Sequence, residues 1–122
     1  FRSSEVVPMT RTLRMYGLAH CSTCQKARAE LAQAGWNVDF RDVRDAPLDA
    51  GEIASMRERF GEKLVNRGSL TWRAMSDAER SGTPEEMIGA HPALMKRPAI
   101  VAGDRHLLGW TANVKRALDV PV

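Results

Sequence analysis

The sequence predicts an α/β domain built in the order β-α-β, a helical segment, then β-β-α, around a mixed four-stranded sheet. Three observations predict it. Apolar residues pass from strand-like to helical spacing and back to strict alternation within residues 12–41. Two helix-start signatures stand mid-chain, at Asp49 and Thr83. A Gly103-Asp104 pair separates two short β-like runs near the end.

Each element has a local cause. Residues 12–16 mix β-branched, aromatic and apolar side chains and form the first strand, which Gly17 ends. Residues 20–23 make a short loop. From Cys24 onward, Ala27, Leu31 and Ala34 recur at helical spacing, with Lys26, Arg28, Glu30 and Gln33 on the other face. Gly35 stands where a helix C-terminal cap belongs. Trp36, Val38 and Phe40 then alternate with Asn37, Asp39 and Arg41, which predicts a strand with one buried face. Strand, helix and strand at such short spacing make a βαβ unit with parallel strands.

In the middle, Pro47 and Asp49 precede Ile53, Met56 and Phe60 at helical spacing. Asp49 with Glu52 makes a capping box, and Gly61 stops the helix. Residues 64–80 are expected to hold short helices and loops. Thr83-Pro84-Glu85-Glu86 starts another helix, with Thr as the cap, Pro first and an acid third, and His91-Pro92 closes it. The helical insertion thus spans about residues 48–92. Residues 99–102 and 105–108 form a hairpin, and Val114, Ala117 and Leu118 fit a closing helix.

The chain of 122 residues suits one domain with one modest core, expected over residues 11–120. Residues 1–8 lack periodicity and precede Met9, so residues 1–10 are expected to be disordered, an expression remnant or an upstream leader. The net charge of +3 comes from dispersed basic residues, which argues against direct binding of nucleic acid but suits small anions. No apolar run approaches the roughly 20 residues that a membrane-spanning helix needs, and no signal-peptide hydrophobic stretch is seen. Two cysteines are too few for a secreted disulfide scaffold, so a reducing, cytoplasmic setting is expected. A monomer is expected as well.

Those two cysteines carry the chemistry. Cys21-Ser22-Thr23-Cys24 lies between the first strand and the first helix, which reads as a redox centre rather than a structural bridge. A helix N-terminus lowers a thiol's pKa, and a second thiol lets a mixed disulfide resolve within one chain. A metal is not expected: two thiols supply two ligands, no second pair follows at suitable spacing, and His20 cannot easily complete a tetrahedron with both. Cys21 is the candidate nucleophile. Cys24 is the candidate resolving thiol, although its spacing with Ala27 and Leu31 also fits a buried first-turn cysteine. Arg97 is a candidate anion ligand, because Pro98 holds its backbone extended and a guanidinium grips an oxyanion or carboxylate with two hydrogen bonds. His20 is expected to support the loop or assist proton transfer. Trp36, Trp72 and Trp110 are expected to pack, and His106 to be an exposed strand residue.

Four stretches resemble a known family: Tyr16-Gly17-Leu18-Ala19-His20-Cys21-Ser22-Thr23-Cys24-Gln25-Lys26-Ala27-Arg28, Asn66-Arg67-Gly68-Ser69-Leu70-Thr71-Trp72-Arg73, His91-Pro92-Ala93-Leu94-Met95-Lys96-Arg97-Pro98, and Leu107-Leu108-Gly109. Together they make the chain similar to the ArsC family, which takes in arsenate reductases, Spx proteins and YffB proteins. The second stretch looks most like the YffB branch. The resemblance implies a thioredoxin-like fold with a helical insertion between its halves. It implies Cys21 as nucleophile, Arg97 beside it, a cis bond before Pro98, and Arg67 as a further basic residue for substrate. It also implies glutathione, glutaredoxin or protein thiols as partners, with glutathione as co-substrate and no bound cofactor. Two other activities follow from the same resemblance. One is arsenate reduction, although residues 109–113 lack the arginine that those enzymes carry after the last hairpin. The other is redox-sensing regulation through the RNA polymerase alpha subunit, as in Spx proteins.

Overall fold

The structure is a computed structural model and describes residues 11–122. The segment 1–10, expected to be a remnant or leader, lies outside the described residues. Among the described residues the order is β1 (Thr12–Gly17), α1 (Ser22–Gln33), β2 (Asn37–Asp42), α2 (Ala50–Phe60), α3 (Leu70–Ala74), α4 (Asp77–Arg80), α5 (Pro84–Ala90), β3 (Ala99–Ala102), β4 (Arg105–Leu108) and α6 (Ala112–Ala117). That is the predicted order, and residues 64–80 hold the short helices expected there.

The chain divides into two compact units: Asp42–Lys96 forms one, and Arg97–Val122 joins the chain up to Arg41 in the other. The second of these carries the sheet, in the order β2-β1-β3-β4. β1 pairs antiparallel with β3 through Met15 opposite Ile100, and β3 pairs antiparallel with β4 through Ile100 opposite Leu107. In this mixed sheet the parallel pair is therefore β1 with β2. The two-residue Gly103-Asp104 turn joins β3 to β4, with Gly103 at φ 61°, a conformation that favours glycine.

One face of this sheet is buried. Leu13, Met15, Ile100 and Ala102 project from the strands against Ala27 and Leu31 of α1 and Val114 of α6, with Trp36 and Leu118 closing the cluster. The Trp36 Nε1–H donates to the Leu118 carbonyl at 2.8 Å, so the ring is buried with its polar atom satisfied. Val38 and Phe40, predicted to face inward, are only half-buried, since β2 is an edge strand with a neighbour on one side. His106, predicted to be exposed, is half-buried on β4, with Nδ1 3.2 Å from the Asp104 carbonyl.

The Asp42–Lys96 unit is helical. α2 packs on α5, and these helices bury Ile53, Met56, Met87 and Ile88. Its ends are strapped together: the Asn66 N–H donates to the Leu94 carbonyl at 2.9 Å, and the Lys96 N–H donates to the Leu64 carbonyl at 2.7 Å. No helix among the described residues is long and apolar enough to cross a membrane.

Candidate functional site

The site grows out of the turn between β1 and α1. The Cys21 N–H donates to the Leu18 carbonyl at 3.1 Å, and the Cys21 carbonyl accepts from the Gln25 N–H at 2.9 Å. Cys21 is thus the cap residue of α1, with extended backbone at φ −79° and ψ 119°. The Gln25 side chain reaches back and donates to the Ala19 carbonyl at 2.8 Å, tying the loop to the helix.

This geometry separates the two thiols. Cys21 is half-buried, whereas Cys24 is fully buried on the face that carries Ala27 and Leu31; both are free thiols. Partial burial pushes the Cys21 thiol up. The Cys24 backbone N–H, the Cys24 side chain and the Arg97 guanidinium outweigh that effect, so Cys21 lies below its ordinary value. Cys24 goes the other way. Burial, then the neighbouring Cys21, push it up to about 11, against opposing hydrogen bonding from the Leu18 backbone and the charge of Arg97.

Arg97 hydrogen-bonds the Cys21 thiol from the far end of the sequence. It is half-buried and immediately precedes β3, so the central strand fixes its base. The Arg97–Pro98 bond is cis, as the resemblance implies, and Pro98 is buried with its carbonyl accepting from the Gly109 N–H at 2.8 Å. His20 lies exposed in the turn one residue before Cys21.

Arg67 belongs to the Asp42–Lys96 unit. It is exposed, pairs with Glu62 at 2.9 Å and stands over the Trp72 ring at 5.5 Å from its centre. Arg80 is also 5.5 Å from the centre of the Trp72 ring. Trp110 packs as expected, and its Nε1–H donates to Glu30 at 3.1 Å, while Lys115 approaches the same carboxylate at 3.4 Å. Among the described residues no group of three or more His, Cys, Asp or Glu side chains is placed to hold a metal ion.

Gly17 is the functional neighbour that the sequence left least visible. A Cβ built there falls 2.6 Å from Cys24 Sγ, so the buried thiol occupies the space of an absent side chain. The only local signal is its position, at the end of a strand immediately before the cysteine loop.

Residues 16–118 match the ArsC family. A solved YffB protein is 26% identical and superposes with a TM-score of 0.80 over 87% of this chain and 97% of its own. An arsenate reductase-related protein from Brucella melitensis is 27% identical, with a TM-score of 0.70 over 87% of this chain and 92% of its own. The global transcriptional regulator Spx of Streptococcus agalactiae is 27% identical over 103 residues, covering 80% of this chain and 75% of Spx. With the match running from the strand before Cys21 to the closing helix, the chain belongs to the ArsC family and has its thioredoxin-like fold.

Proposed function

We propose that this chain is a cytoplasmic, monomeric thiol–disulfide oxidoreductase in which Cys21 attacks and Cys24 resolves. Glutathione or a glutaredoxin supplies the electrons as a co-substrate, and no bound cofactor takes part. One observation carries the reading: the more exposed thiol is the one held toward thiolate, by a helix N-terminus and Arg97, while the buried thiol stays protonated.

The chemistry follows from that asymmetry. The Cys21 thiolate attacks one sulfur of a mixed disulfide, and the other sulfur leaves as thiolate. Cys24 then gives up its proton and attacks Cys21 Sγ, which releases the second partner as thiolate and leaves a Cys21–Cys24 disulfide. Two glutathione thiols, or one dithiol glutaredoxin, reduce that disulfide and are themselves oxidised. Arg97 and Pro98 hold the substrate beside the thiolate, with the guanidinium on a carboxylate. His20, exposed beside Cys21, and Arg67 are further candidates for contact with the same anionic substrate.

The family membership supports a second reading, since relatives named Spx match 27–29% of aligned residues. In that reading the same disulfide is a regulatory signal read by the RNA polymerase alpha subunit. Arsenate reduction is a third, suggested by the arsenate reductase-related structure. Turnover assays with a glutathione mixed disulfide and with arsenate separate the enzymes. Pull-down with the alpha C-terminal domain tests the regulator. Turnover of the mixed disulfide, lost in Cys21→Ser, is the expected result; thiol-dependent alpha binding without any turnover would replace the oxidoreductase reading by the regulatory one.

A further inference from the structure

Gly17 ends β1 and is not among the described residues with positive φ, which are Gly35, Gly61, Gly103, Gly109 and Asp119. Backbone conformation therefore does not require glycine at position 17; space does. A Cβ built there meets Cys24 Sγ at 2.6 Å, Cys24 Cβ at 3.5 Å and Phe40 Cε1 at 3.5 Å. The two 3.5 Å contacts are ordinary van der Waals distances, so the conflict is with a single atom, the sulfur. That sulfur has little freedom to move. Cys24 is fully exposed to nothing but protein, at 0% accessibility, and a residue inside a helix has few allowed rotamers. Phe40 bounds the same space and is itself held by the Arg28 guanidinium, 4.1 Å from its ring centre.

We infer that Gly17 is a positioning residue: the space left by its absent side chain is the seat of the Cys24 thiol, and that seat keeps the thiol within hydrogen-bonding reach of Cys21. Its importance for turnover rests on the oxidoreductase reading, whereas the seat itself is a packing relation that is measured without turnover. A bulkier residue at 17 pushes Cys24 off its place and withdraws a donor from the Cys21 sulfur. Removing the Cys24 sulfur instead vacates the seat and makes a methyl at 17 harmless.

The test is a cycle of Gly17→Ala, Cys24→Ala and the double variant, read by thermal unfolding and by the pH dependence of Cys21 alkylation with iodoacetamide. Gly17→Ala is expected to lower Tm by about 4–10 °C, as overpacking in a domain of this size does. In the Cys24→Ala background the same change is expected to cost nothing. A purely structural role would leave the alkylation profile in place. The expected result is that Gly17→Ala moves it toward higher pH, toward that of Cys24→Ala, with alkylation at neutral pH about 2- to 10-fold slower. Equal Tm losses in both backgrounds, no loss in either, or an unmoved profile would overturn the inference. Should Gly17→Ala fail to fold, recovery of folding in the double variant is the same coupling, and failure of both overturns it. An intact coupling in a protein that turns over no disulfide would leave the seat standing and remove the oxidoreductase reading.

Discussion

Three helices of the Asp42–Lys96 unit and the first helix of the other unit begin in opposite ways. α2, α4 and α5 each start with a complete capping box, Asp49 with Glu52, Ser76 with Glu79 and Thr83 with Glu86. Oxygen accepts the first free N–H groups, and acidic residues in the first turn meet the positive end of the helix dipole. α1 has neither. Its cap residue is Cys21, no hydroxyl or carboxylate cap is present, and its first turn holds no acid. The helices of the insertion spend their N-termini on their own stability; α1 leaves its N-terminus for a sulfur anion. It compensates along its length, where Cys24, Ala27 and Leu31 are buried. The absence of a carboxylate in that first turn also spares Cys21 a like charge, which would push its thiol up.

The strongest way to break this contrast is to give α1 the start that the other helices have. Cys21→Ser places a hydroxyl at the cap. Disulfide turnover is expected to fall by about a thousandfold or more, to background, because the attacking atom is gone. Unfolding should show the opposite sign, with stability gained by about 0.5–1 kcal/mol from the oxygen cap. Loss of stability in Cys21→Ser would mean that the thiolate, not the missing oxygen cap, dominates the helix start.

Arg97→Gln tests the other support of the anion. The variant should alkylate at Cys21 about 3- to 10-fold more slowly at pH 7, with its midpoint moved up toward the free-thiol value of about 8.5. The signs of the pH effects on stability follow the two directions. Cys21 is held low, so its contribution is present above about 8.5 and fades as pH falls through the folded value. Cys24 is held up to about 11, so its contribution is complete below the unfolded value and is lost as pH rises toward the folded one. An Arg97→Gln profile identical to that of the native protein would remove Arg97 from the site.

The contrast also explains what could be read from the chain in advance. Caps, turns and cysteine spacing are local, so the boxes at Asp49 and Thr83, the Gly103-Asp104 hairpin and the Cys21 loop were legible within a few residues. Arg97 was legible through its neighbour, since Pro98 limits the backbone and the resemblance implies the pairing. What escaped was set by distance in space. Gly17 looks like a strand end until the buried sulfur of Cys24 is placed against it. Gln25 looks like an exposed helix residue until its amide meets Ala19. The partners of Arg67, Glu62 and the Trp72 ring, are likewise set in space, and nothing in its own sequence names them.

The smallest effect comes from the insertion side. Thr83→Ala removes the hydroxyl that accepts the Glu86 N–H at 3.1 Å and leaves the Glu86 carboxylate on the Thr83 N–H at 2.9 Å. Half of the box persists, so the loss is expected at about 1 kcal/mol or slightly less, a fall in Tm of a few degrees. Cys21 alkylation should keep its native pH profile, because an oxygen cap here serves only the stability of α5. A lower Tm with an unmoved profile is the mirror image of Cys21→Ser, which raises stability and abolishes chemistry. A Thr83→Ala variant whose Cys21 profile moves would show instead that the capped helices also tune the thiol, and that stability and reactivity are not divided between the two kinds of helix start.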